Sequence, residues 1–140
     1  MIIRKATTQS DFFSLMRIRS LVFMCEQHVD PSIEIDEIDA LCDHYCAFDN
    51  DHMVAALRII KHQNTWHIGR VAVLKAHRHK QYGSSLMQYV EDIAKKEGTL
   101  TLTLSSQVAA LPFYASLGYI SIGKAFEEAN ILHQNMEKHL

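Results

Sequence analysis

A short basic segment at residues 78–84, with the sequence RHKQYGS, separates an apolar run from a run with helical periodicity. The first backbone N–H groups of a helix lack partners within it, and the helix dipole adds about half a positive charge at that end. Arg78 and Lys80 reinforce this sign, and Gly83 lets the backbone approach a ligand closely. The segment therefore predicts a phosphate site, although an ordinary strand-to-helix turn has a similar composition.

A second segment at residues 107–119 follows the next alternating run, TLTLTL, and contains one tyrosine that could take part in proton transfer. Tyr114 lies on one stripe of a predicted helix with Ala110 and Leu117, so its spacing alone is also that of a core tyrosine. The segment closes on Gly118 and Tyr119. Spacing alone therefore leaves the role of Tyr114 open between catalysis and packing.

The elements that carry these two segments follow from periodicity and turn residues. Thr8 and Asp11 have the spacing of a capping box and predict a helix that continues to Gln27. The proline and repeated acids of residues 29–39 predict a loop. A helix is predicted from just after Gly83 to Gly98, and a second over residues 108–117. Strands are predicted at residues 2–6, 44–48, 53–61, 66–74, 99–104, 119–122 and 131–136. This order is a mixed α/β plan.

Size and charge narrow the classes of protein. The 140 residues suit one domain, 1–140, and 48% hydrophobic with 21% charged residues is typical of a globular chain. A net charge of -2 gives no basic field for nucleic acid, and no apolar stretch is long enough to span a membrane. Three cysteines cannot all pair within the chain, so we expect a cytoplasmic protein.

The two segments together resemble the signatures of GNAT acetyltransferases. The pyrophosphate loop of that superfamily matches Arg78, Gln81 and Gly83, with Gln81 at the position of its first glycine. Its second signature resembles Gln107, Ala110, Phe113, Tyr114, Gly118 and Tyr119, with Gln107 at the position of an asparagine. A narrower pattern is similar to the ElaA-like branch, namely Arg17, Arg19, Val22, Phe23, Glu26, Gln27, Glu34, Asp36, Asp39, residues 68–71 (IGRV) and His133.

This resemblance implies a fold, a co-substrate and a set of site residues. The fold is a central mixed, mostly antiparallel sheet of about six to seven strands flanked by helices. The co-substrate is acetyl-CoA, without a metal, and Tyr114 assists the departure of the thiolate. The residues implied to bind acetyl-CoA are Val71, Ala72, Val73, Arg78, His79, Lys80, Gln81, Tyr82, Gly83, Ser84, Gln107, Ala110 and Phe113.

The general base is less well defined, because many GNAT enzymes carry a glutamate where this chain has Gly69. Candidates to replace it, directly or through water, are Glu26, His133 and His67, in that order, since all three can accept a proton. Each could equally be a surface residue. The acidic run Glu34, Asp36, Glu37 and Asp39 would attract a cationic amine if it borders the cleft, and would otherwise be solvated.

We therefore expect an N-acetyltransferase that passes an acetyl group to a primary amine by direct attack in a ternary complex. The partner would be a small-molecule amine acceptor, with no nucleic acid or membrane, and the chain could form a homodimer. The alternative is a non-catalytic acyl-CoA sensor or interaction module on the same fold. Cys42, His44 and Cys46 alternate along a strand, which matches no strong zinc pattern, so we expect no metal.

Overall fold

The computed structural model describes residues 1–140 as a seven-stranded sheet with helices on its faces. The strands are β1 (Ile2–Lys5), β2 (Asp43–Asp49), β3 (His52–His62), β4 (Thr65–Val73), β5 (Thr101–Gln107), β6 (Ile120–Glu128) and β7 (Ile131–His139). The helices are α1 (Gln9–Arg19), α2 (Pro31–Glu34), α3 (Tyr82–Lys96) and α4 (Leu111–Ser116). A π-helical segment, Ser20–Glu26, continues α1, and short 3-10 turns cover Glu37–Leu41, Lys75–His77 and Val108–Ala110.

The strands lie in the order β1-β2-β3-β4-β5-β7-β6, and only the contact between β4 and β5 is parallel. The other neighbours are antiparallel and mostly joined by short turns, as at Asn50, whose backbone φ is 53°. The predicted mixed, mostly antiparallel sheet flanked by helices is therefore confirmed.

Helices α1 and α3 fix the two faces of the sheet. The stripe of α3 that contains Leu86 and Val90 packs with Leu57, Ile68 and Leu102 in the largest buried cluster. On α1, Leu15 packs with Ala56 and Cys46, and Ile18 with Ala72. The predicted capping box of α1 is confirmed, because Thr8 Oγ1 accepts from the Asp11 N–H and the Asp11 carboxylate accepts from the Thr8 N–H.

The segment between α1 and β2 differs from the loop predicted for residues 29–39. It contains α2 and a 3-10 turn, because Asp30 caps α2 by accepting from the Ser32 N–H and Pro31 occupies the first turn, where its missing N–H costs nothing. The prediction of an irregular loop is therefore wrong over these turns.

Buried ion pairs hold this segment, which we call the acidic segment (residues 30–41), against the sheet. Arg19 Nε donates to Glu34 Oε1 at 2.6 Å, and Arg19 Nη1 donates to Asp39 Oδ1 at 2.7 Å. Arg58 Nη1 donates to Asp36 Oδ1 at 2.7 Å and to Asp39 Oδ1 at 2.9 Å. Glu34, Asp36 and Asp39 are therefore neither solvated nor free to attract an amine, so both interpretations are corrected for these three residues. Glu37 is exposed, as expected for a solvated acid.

Candidate active site

A cleft opens where β4 and β5 separate. The two strands pair only over Thr65–Ile68 of β4 and residues 101–104 of β5, although both continue further. Beyond these residues the edges of β4 and β5 that face each other are not paired with one another. The resulting cleft has a volume of about 1040 Å³, which is large enough for an extended ligand.

A bulge in β4 shapes the wall of this cleft. Arg58 of β3 lies opposite Gly69 and Ala56 opposite Ala72, so Leu57 faces two residues of β4, Arg70 and Val71. Arg70 has a left-handed backbone (φ 52°), a conformation that costs free energy for a residue with a side chain. The Arg70 Nε donates to the carbonyl of Glu34 at 3.1 Å, which ties the bulge to the acidic segment. Bulges of this kind turn backbone groups toward a site.

The predicted phosphate loop forms one end of the cleft. Helix α3 has no side-chain cap, so its first N–H groups remain available to an anion. His79 and Gln81 both have left-handed backbones, with φ of 61° and 69°. Such turns can gather backbone N–H groups into a concave anion site. Of the residues predicted here, Arg78, His79, Gln81, Tyr82, Gly83 and Ser84 line the cleft, whereas Lys80 lies outside it.

The space at Gly83 fits a ligand that passes between β4 and α4. A Cβ atom on Gly83 would lie 3.4 Å from Phe113 Cζ and 3.5 Å from Val73 Cγ2. Both distances are near ordinary van der Waals contact, so the fold itself would tolerate a side chain there. The glycine leaves the passage between Val73 and Phe113 open.

Glu26 lies apart from the other candidate bases. Its carboxylate forms a bidentate ion pair with Arg78, with both N–O distances 2.8 Å, and it is not part of the cleft lining. Arg78 Nε also donates to the carbonyl of Val73 at 3.0 Å. This arrangement gives Glu26 a place beside the phosphate loop rather than beside Tyr114.

Tyr114 lies on the opposite side of the cleft, on α4. Its ring contacts those of Phe113 and Tyr119 edge to face, with centroid separations of 4.9 and 6.1 Å. Burial raises the pKa of the Tyr114 phenol well above its ordinary value, so the group stays protonated at neutral pH. Ala110, Phe113 and Gln107 line the cleft beside it, and Gln107 Nε2 donates to Gln27 Oε1 at 2.7 Å.

The two candidate histidines both line the cleft beyond the bulge. His67 lies within 2.9 Å of Thr103 Oγ1 through Nδ1, and burial lowers the pKa of its imidazole, so the ring is mainly neutral at pH 7. His133 Nδ1 lies 2.6 Å from the carbonyl of Ile131. Because a carbonyl only accepts, Nδ1 carries the proton, and Nε2 is the basic nitrogen of the neutral ring.

Two charged residues of the cleft were missed in the sequence. Arg58 is buried opposite Gly69, and its Nε has no hydrogen-bond partner. Glu128 lies at the tip of the β6–β7 hairpin and lines the cleft with His133. Alternation along β3 could have suggested an inward Arg58, because its strand neighbours are apolar. No local signal marks Glu128, since it follows another glutamate next to a turn.

Two further features of the chain are a possible metal site and a possible membrane-spanning helix, and neither is found. No group of three or more His, Cys, Asp and Glu side chains is arranged to hold a metal ion, and all three cysteines are free. None of the helices combines the length and apolar character that a membrane span requires.

Comparison with known proteins supports the assignment of this fold and cleft. The model of a GNAT acetyltransferase domain matches residues 23–140. The protein ElaA of Escherichia coli is 32% identical over 135 residues, covering 92% of this chain and 88% of ElaA. The ElaA crystal structure superposes with a TM-score of 0.84 over 98% of this chain and 99% of ElaA.

Two more distant structures share the fold. An acyl-CoA N-acyltransferase from Pseudomonas aeruginosa has a TM-score of 0.87 at 24% identity and covers 99% of both chains. An aminoglycoside 6'-N-acetyltransferase complexed with coenzyme A has a TM-score of 0.77 at 18% identity, covering 99% of this chain and 97% of that one. The fold, the split sheet and the family match over residues 23–140 lead to the same conclusion: the chain belongs to the GNAT acetyltransferase family.

Proposed function

We propose that this protein is an acetyl-CoA-dependent N-acetyltransferase that acetylates a primary amine by direct attack in a ternary complex. The observation that carries the proposal is the cleft between β4 and β5, because the uncapped N-terminus of α3 lies at one end and a protonated tyrosine lies on its far wall. The coenzyme A found in the distant aminoglycoside enzyme supports the same co-substrate here. The three free thiols accord with action in the cytoplasm.

In this proposal the co-substrate lies along β4. The N-terminal end of α3, Arg78 and His79 bind the pyrophosphate, and the backbone of residues 71–73 binds the pantetheine arm. Backbone N–H groups at the bulge polarise the thioester carbonyl, which is an electrostatic contribution that needs no side chain. The thioester would then lie beyond residue 71, toward His67 and His133, and the amine would approach from that end.

The reaction needs a group that accepts a proton from the amine and a group that donates a hydrogen bond to the departing sulfur. The amine nitrogen attacks the thioester carbonyl carbon, the C–S bond breaks, and the sulfur leaves as thiolate. A phenol with an ordinary pKa of about 10 is a weaker acid than a thiol of about 8.5, and burial raises the pKa of Tyr114 further. Tyr114 therefore stabilises the thiolate by donating a hydrogen bond rather than by complete proton transfer.

His133 is our proposed acceptor of the amine proton, because its Nε2 is free to act as a base in the neutral ring. His67 is the alternative, since it lines the same cleft and is mainly neutral. Glu26 is the weakest of the three, because its ion pair with Arg78 occupies both carboxylate oxygens.

The experiment that tests the function is calorimetric titration with acetyl-CoA and with coenzyme A, followed by a screen of primary amines for thiol release. A dissociation constant near micromolar corresponds to about 8 kcal/mol and is easily measured. Binding together with amine-dependent thiol release supports the enzyme. Binding without release on any amine favours the acyl-CoA sensor, and failure of both ligands to bind favours an interaction module, for which a solution mass would test homodimer formation.

A further inference from the structure

The charges around the cleft are unevenly matched. Each arginine of the lining already has a carboxylate partner: Arg58 is paired with Asp36 and Asp39, Arg70 with Glu34 and Asp36, and Arg78 with Glu26. Glu34, which also lines the cleft, is paired with Arg19. Glu128 is the exception, because it lines the cleft and takes part in no salt bridge. The end of the cleft near Glu128 therefore carries an uncompensated negative charge.

The β6–β7 hairpin places the Glu128 carboxylate in the part of the cleft that His67 and His133 also line. Glu128 pairs with Ile131 and Phe126 with His133, so alternation along the two strands puts these four side chains on one face. Phe126 and His133 stack with ring centroids 5.9 Å apart. The negative charge of Glu128 also partly offsets the lowering of the His67 pKa by burial and by Arg58. Glu128 is thus electrostatically coupled to His67, the alternative proton acceptor, and lies on the same face of the hairpin as His133.

A carboxylate at this place does not suit the attacking nitrogen itself. An anion beside that nitrogen stabilises its ammonium form, whereas attack on the thioester requires the neutral amine. An anion is instead well suited to a second, permanently charged group of the same acceptor. Acceptors with a carboxylate are disfavoured, because a carboxylate of the protein already balances the charge of each guanidinium in the cleft lining.

We propose that Glu128 binds a second cationic group of the acceptor. The preferred substrates would then be primary amines that carry another positive charge further along their carbon chain. This inference rests on the proposed acetyltransferase function for the identity of the ligand as an acceptor. The contact between Glu128 and a cationic group can be measured by binding alone, without turnover. Diamines are the simplest members of this chemical class.

The test compares putrescine with butylamine, which has the same carbon chain and one amine. We expect kcat/KM for putrescine to exceed that for butylamine by about two- to fivefold, as one solvent-exposed ion pair allows. In Glu128→Gln kcat/KM for putrescine should fall to about the value for butylamine, so that the ratio between the two amines approaches one. The matched control is Glu127→Gln, because Glu127 lies next to Glu128 on the opposite face of the hairpin and outside the cleft lining.

Two outcomes would overturn the inference. One is equal kcat/KM for both amines in the wild-type protein. The other is an equal loss for both amines in Glu128→Gln with a shifted acid limb of the pH profile, which would make Glu128 a base instead. If no amine is turned over, calorimetry of the coenzyme A-bound protein with putrescine separates the two questions. Binding that is lost in Glu128→Gln supports the anchor without the enzyme, and absence of binding rejects it.

Discussion

The buried ring of Tyr114 packs edge to face against Phe113 and Tyr119, and this setting decides what its hydroxyl group can do. Burial removes water from the phenol and raises its pKa, so a tyrosinate is not formed at neutral pH. The side chain can therefore donate a hydrogen bond but cannot act as a base. Tyr119 lies beside it, with a buried hydroxyl that has no partner at all. The two tyrosines make a natural pair for comparison.

Tyr114→Phe should lower kcat by about 10- to 100-fold, the usual cost of losing one aligned donor at a developing charge. The affinity for coenzyme A should stay within about twofold, because the ring and its packing are retained. Thiol-release kinetics and calorimetry measure the two quantities. In the control, Tyr119→Phe, we expect unchanged kcat and a free energy of unfolding raised by up to about 1 kcal/mol, since an unpaired buried hydroxyl is removed. Equal kcat in both variants would exclude Tyr114 from catalysis.

The phosphate loop stores backbone strain where the superfamily signature has a glycine. Gln81 adopts a left-handed backbone at the N-terminus of α3, with φ of 69°. A residue with a Cβ atom pays roughly 1 kcal/mol for this conformation, whereas glycine does not. The loop thus contains a left-handed turn at Gln81 without a glycine, at a cost to stability.

Gln81→Gly should therefore raise the free energy of unfolding by up to about 1 kcal/mol. The matched control is Gln88→Gly within α3, where the same substitution should lower it by about 1 kcal/mol, because an exposed helical position disfavours glycine. Urea unfolding of both variants measures the change in the free energy of unfolding, which should be positive for Gln81→Gly and negative for Gln88→Gly. A loss of stability in Gln81→Gly would show that the side chain contributes more than its backbone costs.

The acidic segment is held by charges rather than by apolar packing. Burial alone would raise the pKa of Asp39, but hydrogen bonds and charges from Arg19 and Arg58 outweigh burial and lower the pKa to about 2. Because the folded pKa lies below the unfolded one, the stabilisation is complete above about pH 4. It is lost progressively as the pH falls from about 4 toward 2.

Asp39→Asn should lower the free energy of unfolding by about 3 kcal/mol at pH 7, because Arg19 and Arg58 lose a shared buried partner. The difference from the wild-type protein should shrink by about 2 kcal/mol between pH 4 and pH 2, where the native Asp39 itself becomes protonated. Denaturant unfolding across this range measures both effects. Asp51→Asn, an exposed control, should change neither, and a difference that is constant with pH would contradict the assigned pKa.

For the molecule as a whole, the cleft is a gap in an otherwise continuous sheet. Strands β1 to β4 form one part and β5, β7 and β6 the other, joined by the short parallel pairing at residues 65–68 and 101–104. A ligand in the gap contacts both parts. It should therefore stabilise the complete fold and not one element alone.

At about 100 times its dissociation constant, acetyl-CoA should add about 2.7 kcal/mol to the free energy of unfolding. For a chain of 140 residues this corresponds to a rise in Tm of roughly 8 °C. Differential scanning calorimetry measures the shift. Pantetheine, which lacks the pyrophosphate, should give a much smaller rise at the same concentration. An equal rise would mean that the phosphate loop contributes little affinity.

Local patterns in the sequence predicted much of this arrangement, because they act over a few residues. The α1 capping box and the period of α3 depend on neighbours in the chain, and both were correctly predicted. The role of the acidic segment could not be predicted, since Arg58 lies 22 residues from Asp36 along the chain. Glu128 was missed for the same reason: only the folded hairpin brings it to the cleft. The roles assigned to the site residues remain predictions for the experiments above.

The gap in the sheet also coincides with a division of the chain. Everything before Gly98 builds the part that ends at β4, including the phosphate loop, and everything after it builds the part with Tyr114, His133 and Glu128. Gly98 itself lies in an exposed turn with open space around it. The co-substrate loop and the proposed acceptor-binding residue Glu128 are thus encoded in two consecutive blocks of the chain. Because the largest buried cluster contains residues of both blocks, such as Leu86 and Leu102, two fragments divided at Gly98 would have to associate to complete the core.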